Sequence, residues 1–265
     1  MKRHIALSLS LALASAVAVM AEDANKPAPI GYEDTPFILG SEWRVHDIKR
    51  PAPPVVSPAK NVGEPPSDAV IIFNGTTTGT LVSKKDNSAC PWKIEDGDLV
   101  IYGGDVLTKE SFGSCQLHLE FKTSPEQKGN SQKKGNSGIF FMDRYECQIL
   151  DCYNNPTYAD GTVGAVYGQT PPLVNPSRAP GNWQSYDIIF TAPKVDKGKV
   201  VEPAYVTTFV NGVCVQVHTK IMGPTKHKQT TDYTGEFPEK APLRFQDHKN
   251  DPPVHLRNIW VRALP

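Results

Sequence analysis

Glu146, Gln148 and Asp151 fall within the run Tyr145-Glu146-Cys147-Gln148-Ile149-Leu150-Asp151. Carboxyl groups held on one rigid strand can take and return protons beside a bound sugar, particularly when burial tunes their pKa values apart. Two-residue alternation puts Glu146 and Gln148 on one face and Asp151 on the other. A single β-bulge between them would return Asp151 to the shared face. The same spacing also describes a solvated acidic edge strand, so both readings stand at this level.

A second cluster is Leu243-Arg244-Phe245-Gln246-Asp247-His248, in which Gln246 and His248 share a face and Asp247 opposes them. His248 has the chemistry of a general base, a metal ligand or a sugar hydrogen-bond donor, and equally that of a structural histidine. No His-x-His, Cys-x-x-Cys or calcium-loop pattern occurs. The metal arrangement these residues leave open is a divalent ion held by Glu146, Asp151 and His248. The run Gly135-Asn136-Ser137-Gly138 either leaves room for a ligand beside Glu146 or simply starts a strand. Tyr167, Trp183 and Trp260 offer faces for a sugar ring, or fill a core.

These residues need strands to hold them. From Ala69 onward, short apolar or alternating runs are separated by Gly, Pro, Asn and Asp, and no window carries a helical stripe. Strands are expected over 69–73, 98–102, 116–122, 137–142, 145–151, 163–167, 184–191, 205–210, 213–218, 243–247 and 254–262. This pattern means an all-β sandwich or barrel. The clearest pairing joins Val206–Val210 to Val213–Val217 through Asn211-Gly212, a dipeptide suited to a two-residue hairpin turn. In Gln116–Phe121, Leu117, Leu119 and Phe121 point one way and Gln116, His118 and Glu120 the other.

Residues 1–21 read as a secretory signal peptide: Lys2-Arg3, an apolar run to Met20, and small residues before Glu22. Cleavage after Ala21 predicts a secreted or periplasmic protein with no later membrane span. Removing Lys2 and Arg3 from 28 basic residues leaves 26 against 28 acidic ones, a net charge of −2. That balance disfavours nucleic acid and anionic lipid as partners. Residues 22–66 are proline-rich and read as an extended leader, whose Pro36–Leu39 and Trp43–Val45 blocks could dock, before one domain over 67–265. Five cysteines, Cys90, Cys115, Cys147, Cys152 and Cys214, lack metal-type spacing, and an odd number leaves at least one free. Core filling is expected of Cys214.

In order, Ile72-Phe73-Asn74-Gly75, Trp92-Lys93-Ile94, Leu107-Thr108-Lys109, Asn136-Ser137-Gly138, Tyr145-Glu146-x-Gln148-x-x-Asp151, Gly164-Ala165-x-Tyr167, Trp183, Gln246-x-His248 and Leu256-Arg257-Asn258-Ile259 resemble the 3-keto-disaccharide hydrolase family. The resemblance spans roughly 69–264 and implies a concanavalin A-like jelly-roll β-sandwich. It also implies cleavage of 3-keto-glycosides by elimination and hydration, on sugars first oxidised at carbon 3 by a partner sugar 3-dehydrogenase. Carried over on this basis, Asp151 or His248 is the base and Glu146 the other proton-transfer group. Lys109, Glu120, Asn136, Ser137, Gln148, Tyr167, Gln246 and Arg257 are then sugar-binding residues. No cofactor is certain; a divalent metal ion is the open case.

The spacing of Glu146, Gln148 and Asp151 also resembles the active-site strand of jelly-roll glucanases, which carry acids at all three places. A retaining glycosidase needs two carboxyl groups roughly 5 Å apart, and Gln148 in the middle weakens that reading. A non-catalytic carbohydrate-binding module is the competing class, because the same sandwich often only binds sugar.

Overall fold

The computed structural model describes residues 27–265, so the signal-peptide reading of residues 1–21 lies outside the described residues. The chain divides into one unit ending at Val55 and a second over Val56–Pro265. Within the first, the proline-rich segment is tied into turns: Phe37 bridges Arg44 antiparallel and Tyr32 bridges Asp47 in parallel. Asp47 accepts the backbone N–H groups of Arg44 and Lys49, and the Arg44 guanidinium lies over the Phe37 ring.

The second unit is built from fifteen strands among the described residues. The first eight are β1 (Val70–Phe73), β2 (Leu81–Ser83), β3 (Lys93–Glu95), β4 (Asp98–Val100), β5 (Val106–Phe112), β6 (Cys115–Lys122), β7 (Ser137–Phe141) and β8 (Tyr145–Ile149). The others are β9 (Gln184–Thr191), β10 (Lys194–Asp196), β11 (Lys199–Glu202), β12 (Tyr205–Val210), β13 (Val213–Lys220), β14 (Ala241–Phe245) and β15 (His255–Ala263). One sheet runs β13-β12-β9-β6-β15-β4-β3 with β1 also on β15; the second runs β2-β5-β14-β7-β8; β10 and β11 form a small ribbon. Every pairing is antiparallel.

Alternation explains how the sheets meet. Leu117, Leu119 and Phe121 of β6 are buried inward, and Phe190 of β9 stacks on Phe141 of β7 with ring centroids 4.6 Å apart. Tyr145 of β8 packs on the same Phe190. Each large apolar side chain taken from water in this way contributes about 1.5–3 kcal/mol. The result is a jelly-roll β-sandwich, and the hairpin turn at Asn211-Gly212 has both residues at positive φ, 53° and 77°, as its backbone requires.

Three local expectations are corrected. Residues 163–167 form no strand; Gly164 takes φ 85°, and the segment instead hydrogen-bonds along the edge of β8. Gln148 N donates to Ala165 O, Gly164 N to Gln148 O and Tyr167 N to Glu146 O, covering an edge that would otherwise be unpaired. No bulge interrupts β8, which pairs with β7 from Phe141↔Tyr145 to Ser137↔Ile149 without a register shift. Cys214 is half-buried rather than in the core, with its thiol on Gln216 O, because β13 is an edge strand of its sheet; Cys115, Cys147 and Cys152 are the buried cysteines, and all five are free thiols.

Candidate functional site

The outward face of the five-stranded sheet carries a cavity of about 520 Å³. β8 supplies Glu146 and Gln148, β7 supplies Phe140, and the loop leaving β14 supplies Gln246 and His248. A one-turn 3-10 helix, Ser131–Lys133, adds Gln132 and Lys133, and loops complete it with Asn136, Tyr158, Tyr167, Thr225 and His227. Alternation explains the β8 pair, whereas the loop residues come from segments with no periodic signal.

Glu146 is 5% exposed. Its backbone is held by Thr225 Oγ1 and by Tyr167 N, while its carboxyl makes no hydrogen bond to another described residue. Burial pushes that carboxyl up to about 8, with Arg244 pulling down and Asp105 pushing up more weakly. A carboxyl in this state carries its proton at neutral pH and can deliver it. Space for it exists because residue 138 is glycine: a Cβ there would stand 3.0 Å from the Glu146 Cδ and 3.1 Å from its Cγ.

Beneath Phe140 the Arg244 guanidinium lies 3.3 Å from the ring centroid and pairs with Asp105 and Asp143. Gln148 is fully buried; its Nε2 donates to Gln132 Oε1 at 2.9 Å and to the Gly161 carbonyl. A backbone carbonyl can only accept, which fixes the orientation of the Gln148 amide. Its Oε1, like that of Gln246, is buried with no partner among the described residues. Unmet acceptors of this kind favour a ligand rich in hydroxyl donors.

The opposite wall is a short hydrogen-bonded chain. The Tyr167 hydroxyl lies 2.8 Å from the Tyr158 hydroxyl and 2.8 Å from His227 Nδ1, with the His227 ring stacked on Tyr167. Burial, then the bond to Tyr158, raises the Tyr167 phenol above its usual range, so the hydroxyl stays protonated.

Of the residues expected at the site, Glu146, Gln148, Asn136, Tyr167, Gln246 and His248 reach this cavity, and Asp151 does not line it. β8 ends at Ile149, and the Asp151 carboxylate turns to pair with Lys134 at 3.1 Å and to accept Tyr153 N. Ser137 faces inward and donates its hydroxyl to Gln246 O, holding the Gln246 segment. Lys109 is exposed on β5 and does not line the cavity. Glu120 and Arg257 pair with each other on the outer face of the larger sheet, at 2.6 Å. Trp183 sits there between Lys122 and Arg257, and Trp260 stacks on His118.

Glu146 and His248 alone of the imagined metal triad share the cavity, and among the described residues no three His, Cys, Asp or Glu side chains gather as a metal site. Sequence reasoning missed Gln132, Lys133, Phe140, Tyr158, Thr225 and His227. Only the pairing of Phe140 with Glu146 across β7 and β8 could have been found by registering the two strands.

A jelly-roll sandwich with a proton-bearing carboxyl, unmet amide acceptors and aromatic walls on its open face defines a carbohydrate-active protein class. Residues 68–262 match the model of the 3-keto-alpha-glucoside-1,2-lyase-like domain, and the chain belongs to that family. The chain is 38% identical to a protein of Parabacteroides distasonis provisionally described as a glycosyl hydrolase, whose crystal structure superposes with a TM-score of 0.77 over 89% of this chain and 100% of that one. A second crystal structure from the same organism, with the same provisional description, shows the shared fold at 19% identity, TM-score 0.54, over 74% of this chain and 94% of that one. No curated protein matches the chain.

Proposed function

We propose that this carbohydrate-active enzyme cleaves 3-keto-glycosides, including 3-keto-disaccharides, by elimination followed by hydration. The carrying observation is Glu146: a buried carboxyl, unpaired among the described residues, that faces a cavity it shares with His248. A ketone at carbon 3 acidifies the proton on carbon 2. His248 takes that proton, and the electron pair moves onto the carbon 3 oxygen as an enolate. Its collapse forms the carbon 1–carbon 2 double bond as the glycosidic bond to carbon 1 breaks. Glu146 gives its proton to the departing oxygen. Lys133 is the cationic side chain among the lining residues and offsets the enolate charge. Water then adds across the double bond, hydroxyl to carbon 1 and proton to carbon 2, so the sum is hydrolysis.

The unmet Gln148 and Gln246 oxygens support a polyol ligand. The substrate must first be oxidised at carbon 3, so a sugar 3-dehydrogenase acting earlier is part of the proposal. Secretion or periplasmic location rests on residues 1–21.

The retaining-glycosidase reading loses support because Glu146 is the single carboxylate lining the cavity among the described residues, and double displacement needs two. A module that only binds sugar gives no reason to bury an unpaired carboxyl in a cavity that also holds a histidine. Glu146→Gln tests the assignment: it should lower turnover of a 3-keto-glucoside by about 10²-fold or more while still binding it. Unchanged turnover would remove Glu146 from the reaction.

A further inference from the structure

Tyr158, Tyr167 and His227 line the Glu146 cavity from one side, and they also line a second cavity of about 430 Å³ on their other side. The second cavity is completed by Asp160, Gly168, Lys228, Gln229 and Thr230. Tyr167 therefore stands at the junction of two adjoining spaces.

We infer that the second cavity is the subsite for the group that leaves with the glycosidic oxygen, and that it takes an uncharged, hydroxyl-rich group such as a second sugar ring. This rests on the elimination reading for the location of the scissile bond. A glycoside lying across both cavities passes its bridging oxygen by the Tyr167 hydroxyl, within the wall that Tyr158 and His227 hold by hydrogen bonds at 2.8 Å.

The chemistry of the lining selects the ligand. Asp160 offers acceptors, Lys228 donors, and Gln229 and Thr230 both. One carboxylate and one ammonium together leave little net charge to attract an ionic aglycone, while the tyrosine rings give a sugar an apolar face to rest on. The loop supplying Lys228, Gln229 and Thr230 is fixed at its root: Thr225 N donates to Arg144 O, and Thr225 Oγ1 accepts Glu146 N. The leaving-group subsite is thus registered to the strand that carries Glu146. The Asp160 side chain makes no hydrogen bond to the rest of the described chain, and the Asp160 carbonyl accepts Gly168 N. Truncating the side chain leaves that backbone tie in place.

The test compares a 3-keto-disaccharide with methyl 3-keto-glucoside on the unaltered protein and on the double variant Asp160→Ala, Gln229→Ala. The ratio of kcat/KM for disaccharide over methyl glucoside should fall about tenfold in the variant, the effect of losing one or two polar contacts. An unchanged ratio overturns the subsite. Titrating Glu146→Gln with the two sugars gives an arm independent of turnover. The disaccharide should bind more tightly than the methyl glucoside, and the double variant in this background should lose that advantage. Equal binding of the two sugars to Glu146→Gln overturns the subsite, whereas lack of turnover of both by the unaltered protein overturns the elimination reading itself.

Discussion

Gly138 of β7 lies against the Glu146 side chain of β8 so closely that any Cβ at position 138 would overlap the carboxyl. The glycine is therefore a positioning residue. Gly138→Ala needs no unusual backbone angle, since Gly138 is not among the positive-φ residues, so the fold should persist while the carboxyl moves. A displacement approaching 1 Å can cost about 10²-fold in rate. Turnover of a 3-keto-glucoside should fall by that order with an unchanged circular dichroism spectrum; full activity would show that Glu146 needs no fixed position.

The raised Glu146 pKa predicts two pH effects. In the proposed role of general acid Glu146 must hold its proton, so kcat/KM should fall as pH rises through about 8. For stability, the folded value of about 8 lies above the ordinary 4.5. Below the ordinary value both states are protonated. Between the two values the unfolded chain ionises while the folded one does not, so stability is lost as pH rises through the folded value. The loss is on the order of a few kcal/mol. Denaturant unfolding of the unaltered protein against Glu146→Gln, at pH 5 and pH 9, should show the slope in the former and its removal in the latter.

Asp151→Asn separates position from sequence spacing. The carboxylate faces Lys134 and Tyr153 N rather than the cavity, so turnover should stay close to that of the unaltered protein. Loss of the charge partner of Lys134 should cost about 1–3 kcal/mol in chemical denaturation. Abolished turnover in a folded variant would return Asp151 to the reaction.

Tyr167→Phe keeps the ring that stacks on His227 and removes the hydroxyl shared with Tyr158 and His227. The expected result is a five- to tenfold fall in kcat/KM, roughly one neutral hydrogen bond, with the ring wall retained. A fall no larger than that of Tyr158→Phe would show that the junction hydroxyl has no special place.

Alternation made the strands legible. β9 was read at its full extent, 184–191, and β12 at 205–210, because one side of each strand meets the core and the other does not. Glu146 and Gln148 were placed together for the same reason. Asp151 was not legible: its direction depends on where β8 stops, which is decided by Lys134 O accepting Asp151 N from a loop outside the strand. β5 escaped notice because its Lys109-Glu110-Ser111 run is polar and exposed. Tyr158, Thr225 and His227 escaped because loop residues reach the cavity through single tertiary hydrogen bonds, such as Thr225 to Glu146 N, which leave no period in the sequence. Tyr167 was seen as an aromatic, but its approach to Glu146 comes from edge pairing to β8 that Gly164 makes possible.

The central claim is proton removal at carbon 2 before the glycosidic bond is replaced by water. Turnover of a 3-keto-glucoside in deuterium oxide, sampled early by NMR and corrected for exchange without enzyme, tests it most directly. Elimination and hydration predict solvent deuterium at carbon 2 of the released 3-keto-glucose, with 3-keto-2-hydroxyglucal passing through as an intermediate. Release of 3-keto-glucose that retains its original hydrogen at carbon 2 would contradict it.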